Sequence, residues 1–215
     1  MSVTPLVRRC LGLAAAVAVV ATAAACSSGS GGGDSSANAL PPNDKNAIER
    51  VFAPQLERLG VRLTRGALVD LRTAKPSATG THLAVYVEPT GDYTPDQYAR
   101  GTASTLRVFI PKAFARWGGL KSFDICQEPL PATDTRPEPP PVTKVTLTRG
   151  ASDKVKWKNA DLSGLLTDAK RLGTRELSVY AKPDVRNTSV YQDAVVKSNT
   201  SGAAGAPQTT ISYQR

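Results

Sequence analysis

The sequence predicts an α+β fold built on one sheet. Three observations predict it. Residues His82 to Pro129 pass from an apolar strand pattern to a long amphipathic helix pattern and back to a strand. Val142 to Tyr180 repeats that passage with a shorter helix. The order from His82 is therefore strand, helix, strand, strand, helix, strand, the split βαβ arrangement (β-α-β-β-α-β) of ferredoxin-like folds. A helix and a strand before His82 extend that single domain on its N-terminal side.

Each element has its own signal. Asn43 is placed to cap a first helix ending at Leu59, with Ile48, Val51, Phe52, Leu56 and Leu59 along one side. Pro54 is expected to kink it and Gly60 to stop it. Val61-Arg62-Leu63-Thr64 alternates as a half-buried strand, which Ala67 to Arg72 continues after a bend at Gly66. Lys75 to Thr81 reads as a loop. Leu83-Ala84-Val85-Tyr86-Val87 is almost wholly apolar, which predicts a central strand. Thr94 then caps a helix, with Pro95 first and Gln97 closing a capping box. Tyr93 and Tyr98 have the spacing of a hydrophobic staple. The stripe of that helix is Tyr98, Leu106, Phe109, Ile110, Ala113, Phe114 and Trp117, and Pro111 is expected to bend or split it. Phe123-Asp124-Ile125-Cys126 alternates as a strand.

Pro129 to Pro141 reads as an extended, solvated connector. Val142 to Thr148 is a strand. Asn159 is placed to cap a helix carrying Leu162, Leu165, Leu166, Ala169 and Leu172, which Gly173 ends. Leu177 to Tyr180 is the last clear strand. Beyond Pro183 the residues become small and polar, so 186–215 is expected to be a polar, partly disordered tail. Two echoes hint at a duplication: Val61 to Gly66 resembles Val145 to Gly150, and Leu83 to Pro89 resembles Leu177 to Pro183.

The chain has 215 residues and a formal charge of +9. Loss of Arg8 and Arg9 with an export segment leaves about +7. That excess favours anionic neighbours such as head groups or wall polymers. The basic residues are scattered in runs no longer than two, without interleaved aromatics, which argues against nucleic acid.

The N-terminus supplies an address. Met1 to Arg9 is a short basic region, and Leu11 to Ala25 is an uninterrupted run too short and too Ala-rich for a good membrane span. Small residues then lead into Ala23-Ala24-Ala25-Cys26-Ser27-Ser28. This combination resembles the lipobox signal of bacterial lipoproteins of the high-GC Gram-positive type, with Ala23 where that family usually has Leu. The resemblance covers about the first 40 residues. It implies cleavage before Cys26 and a lipid on its thiol. The Gly- and Ser-rich stretch from Ser27 to Leu40 would then be a tether spanning ~20 Å root-mean-square. Arg8-Arg9 leaves both the general secretory and the twin-arginine route open. The expected organisation is a signal peptide over 1–25, lipidated cysteine and tether over 26–42, a globular α+β domain over 43–185, and the tail.

Catalytic signals are sparse. There is no G-x-S-x-G, H-E-x-x-H, C-x-x-C or Walker A motif, and nothing calls for a metal or cofactor. His82, the only histidine, reads as a surface residue at a strand start. Cys126 reads as a buried, inert thiol. The carboxylates form the best candidate site. In the split arrangement Glu88 and Glu128 end two parallel strands with the Val142 strand between them, about 10 Å apart, and Asp92 and Glu138 lie on loops at that end. Such a rim reads first as a solvated acidic edge, and second as a site for a cation or an acid/base pair. Tyr86 and Tyr180, on matching strands, suit either a groove or the core. The leading expectation is a membrane-anchored, non-enzymatic binding or interaction domain on the outer face of the cytoplasmic membrane, meeting an envelope protein or wall polymer. The alternatives are a carboxylate-dependent envelope hydrolase and a carrier of a small apolar ligand.

Overall fold

A computed structural model describes residues 38–73, 75–130 and 140–201. The protein is an α+β domain with one six-stranded sheet. The elements run α1 (Lys45–Leu59), β1 (Val61–Asp70), β2 (Lys75–Pro76), β3 (His82–Pro89), α2 (Pro95–Arg116), β4 (Ser122–Gln127), β5 (Thr143–Thr148), α3 (Arg149–Ser152), α4 (Leu162–Leu172), β6 (Leu177–Ala181), α5 (Pro183–Arg186) and α6 (Ser189–Ser201).

The helix ends follow local chemistry. Asp44, not Asn43, caps α1, its side chain accepting from the Asn46 N–H at 3.0 Å. Asn43 instead accepts from the Leu68 N–H on β1. Gly60 closes α1 at φ 63°, a left-handed position that suits glycine. The capping box of Thr94 and Gln97 is formed, and the Tyr93 and Tyr98 rings meet edge-on at 5.4 Å. Asp161, not Asn159, caps α4. Both prolines sit inside uninterrupted helices. Lys112 of α2 donates to the Val51 carbonyl, in the turn of α1 that precedes Pro54. Arg149 secures the end of α2: its guanidinium donates to the carbonyls of Phe114, Trp117 and Leu120 at 2.6–3.1 Å.

The strand order is β2-β1-β3-β4-β5-β6. β3 and β4 pair directly and in parallel, and all other neighbours are antiparallel. The split arrangement is therefore corrected: β5 lies outside β4, not between β3 and β4. The reason is the N-terminal strand. β1, ten residues long, takes the edge of β3 that a ferredoxin-like order reserves for β6. With β4 on its other edge, β3 has no place left for a further strand. The echoing segments also diverge. Val145 pairs with Val179, whereas Val61 pairs with Pro89 and not Val85, so similar strand composition explains the likeness better than duplication.

Alternate residues of the strands face a single apolar cluster with the helices. Leu83, Val85, Val87, Phe123, Ile125, Val145 and Leu147 meet Phe52, Leu106, Phe109 and Ile110 there. The expected tail needs correction as well. Residues 189–201 form a helix with Tyr191, Ala194 and Ser198 buried, because Val185, Tyr191 and Ala194 reach the cluster at spacings a polar average conceals. Residues 202–215 lie outside the described residues.

Candidate functional site

The other face of the sheet is polar. The register aligns His82 with Ser122, Ala84 with Asp124 and Tyr86 with Cys126, and continues to Lys144, Thr146, Ser178 and Tyr180. Two clusters of charge lie on it.

The first holds the carboxylates. Glu88 and Glu128 stand on neighbouring strands, not two strands apart, because β3 pairs directly with β4 and the Glu128 N–H donates to the Val87 carbonyl. Both are buried. Each meets an arginine from β1: Arg62 binds Glu88, and Arg65 binds Glu128. A bulge between Leu63 and Arg65 sets this up by turning two successive polar residues toward β3 and β4. The Thr64 hydroxyl there donates to Glu128 and lies 3.1 Å from the Tyr86 carbonyl. Both oxygens of Glu128 are thus engaged. Arg65 also lies 3.9 Å over the Tyr86 ring. Asp92 stands exposed outside this cluster, and Glu138 lies outside the described residues, as does Cys26.

The second cluster surrounds His82, which is 3% exposed and not on the surface. Ser122 Oγ lies 2.8 Å from Nδ1, and Asp124 Oδ2 lies 3.3 Å from Nε2. An ionised carboxylate only accepts, so Nε2 donates to Asp124, and Nδ1 pairs with the Ser122 hydroxyl. Lys144 binds the same Asp124 oxygen at 2.5 Å. Burial opposes the charge on Asp124, but His82 and Lys144 outweigh it and hold the carboxyl below its usual range. Burial likewise opposes the Lys144 ammonium, and Asp124 raises it nonetheless.

Ser122, His82 and Asp124 have the order of nucleophile, base and orienting acid. The N–H groups of Lys121 and Ser122, the nearest candidates for holding an oxyanion, both donate to the Thr81 carbonyl. Ser122 is itself buried. Cys126 is buried, and burial together with Asp124 pushes its thiol up to about 12, which keeps it protonated and unreactive.

A cleft of about 260 Å³ opens at the far end of the sheet, walled by Tyr93, Tyr98, Pro129 and Val142, with Lys182 and Asp184 supplying charge. Neither Glu88 nor Glu128 lines it. The Tyr98 hydroxyl is committed to the Glu128 carbonyl at 3.1 Å, and burial lifts its pKa to about 12. Tyr86 and Tyr180 share no groove, since β4 and β5 separate their strands. No group of three or more potential metal ligands occurs among the described residues. No described helix is long and apolar enough to cross a membrane. Compared with known protein families, curated proteins and solved structures, the chain matches none.

Sequence reasoning located Glu88 and Glu128 but missed Arg62, Arg65, Ser122, Asp124 and Lys144. A usable signal was present. His82, Tyr86 and Glu88 recur at even positions of an otherwise apolar strand, and Ser122, Asp124 and Glu128 do the same. That alternation marks one polar face.

Proposed function

We propose that the protein is a lipid-anchored binding or interaction domain, held through Cys26 at the outer face of the cytoplasmic membrane, and not an enzyme. The observation that carries this reading is the run from the basic start through the apolar segment to Cys26 and its Gly/Ser-rich tether. The packing of Asn38 and Ala39 against the body supports it. The Ala39 carbonyl accepts from the Gly119 N–H at 2.8 Å, and a side chain on Gly119 would collide with the Asn38 carbonyl at 2.6 Å. Gly119 precedes β4, whereas the cleft and the Arg–Glu cluster lie beyond its other end. Where the chain passes Gly119 it is therefore about one strand length, ~20 Å, from the cleft. An envelope protein or a wall polymer is the partner class that the basic charge favours.

The test is metabolic labelling with a fatty-acid analogue, followed by membrane fractionation, on the wild type and Cys26→Ala. Label and membrane retention in the wild type, with loss of both in the variant, is the expected outcome. Unlabelled chains, or Cys26→Ala chains that are cleaved normally and stay in the membrane, would refute the anchor.

A further inference from the structure

The two edges of the sheet are built differently. On one side β1 is bulged and carries Arg62 and Arg65, and the two-residue β2, Lys75 and Pro76, covers only its end at Val69 and Asp70. The other ends in β6, Leu177-Ser178-Val179-Tyr180-Ala181, which has no charge, proline or bulge. The Thr148 N–H donates to the Glu176 carbonyl and the Lys182 N–H to the Val142 carbonyl, both at 2.9 Å. Even-numbered residues of β6 therefore turn their backbone groups toward β5. Val179 and Ala181 turn theirs outward, and those groups have no partner among the described residues. Tyr180 on the same strand is 41% exposed.

We propose that this edge pairs with the β6 edge of a second copy of the chain, antiparallel and centred on Val179, joining two sheets into one. The strand is self-complementary in that register. Val179 meets Val179 of the second copy, and the two exchange N–H and carbonyl. The Ala181 N–H of each copy meets the Leu177 carbonyl of the other. Apolar Leu177 and Ala181 fall opposite one another on the core face, and Ser178 and Tyr180 fall opposite on the polar face. The flanks agree in charge: Glu176 falls opposite Lys182 of the second copy, and this happens twice about the dyad. A slip of one residue would set the core face of one copy against the polar face of the other.

The register predicts its own crosslink. Ser178 and Tyr180 of the second copy form a non-hydrogen-bonded pair, whose Cα atoms stand about 4.5 Å apart. That is within disulfide reach, about 4.4–6.8 Å. Full-length chains bearing different tags are co-expressed, one Ser178→Cys and the other Tyr180→Cys, and oxidised in whole cells. The expected result is a disulfide-linked heterodimer, and its loss when Val179→Pro is added to both chains. That proline removes an outward N–H and no bond to β5, and a thermal melt of the variant confirms that the body still folds. A charge reversal gives an independent reading. Glu176→Lys weakens the crosslink by placing Lys against Lys182, and adding Lys182→Glu restores it. Absence of the heterodimer would overturn the proposal. So would equal crosslinking when Leu71→Cys, at the opposite edge and 65% exposed, replaces either cysteine.

Discussion

The two faces of the sheet are made by the same strands and obey different rules. On one, Leu83, Val85, Phe123 and Ile125 pack against helices in a single cluster. Attraction there is non-directional and grows with buried area. On the other, His82, Glu88, Asp124 and Glu128 are also buried, but each has a specific partner. A buried charge without its partner is costly, so this face tolerates fewer alternatives. Apolar alternation makes the strands, and the polar pairs dictate which neighbours fit.

That contrast can be broken from either side. The largest effect belongs to the apolar face. Phe123→Ala removes a fully buried ring that lies 6.5 Å from Phe114, and should cost about 3–5 kcal/mol in denaturant unfolding. Asp124→Ala comes next, at roughly 2 kcal/mol, because it strands His82 and Lys144 together, while the partial exposure of Lys144 limits the loss. Its pH signature separates it from a packing defect. The folded carboxyl lies below its usual value, so its contribution is present above about pH 4 and is lost as pH falls through the lower folded value. The acid limb of the wild-type stability curve should therefore flatten in Asp124→Ala, and an unchanged limb would refute the electrostatic account. The smallest effect is expected for Arg62→Ala, about 1 kcal/mol: buried Glu88 loses its partner, but Arg62 is 63% exposed and water takes its place. A loss as large as that of Phe123→Ala would mean that Glu88 depends on Arg62 more than an exposed pair allows.

The local elements were legible before the structure. The capping box at Thr94 and Gln97, the Tyr93–Tyr98 staple and the glycine ends at Gly60 and Gly173 appear where the residue types put them. Two caps were displaced, to Asp44 and Asp161, since several neighbouring polar residues can each offer an oxygen. The helix after Pro183 was hidden because its buried residues, Tyr191, Ala194 and Ser198, are few, and composition averages them away. In the site, Glu88 and Glu128 were found, but their separation was misjudged because it depends on strand order. His82 was misread for the same reason. Its partners Ser122 and Asp124 lie about forty positions away, and only the parallel pairing of β3 with β4 sets them beside it.

By itself the sequence determined which segments are strands and helices, where most of the helices stop, and which alternate residues are apolar. These are short-range matters of backbone geometry, side-chain capping and period, and nearby residues settle them. Only the tertiary structure decided that β1 and not β6 borders β3, that Arg62 and Arg65 reach Glu88 and Glu128, and that β6 has no strand on its outer side among the described residues. Backbone ladders are nearly blind to side-chain identity. Strand neighbours are therefore chosen by the whole chain together, through the fit of one apolar face and the pairing of charges on the other.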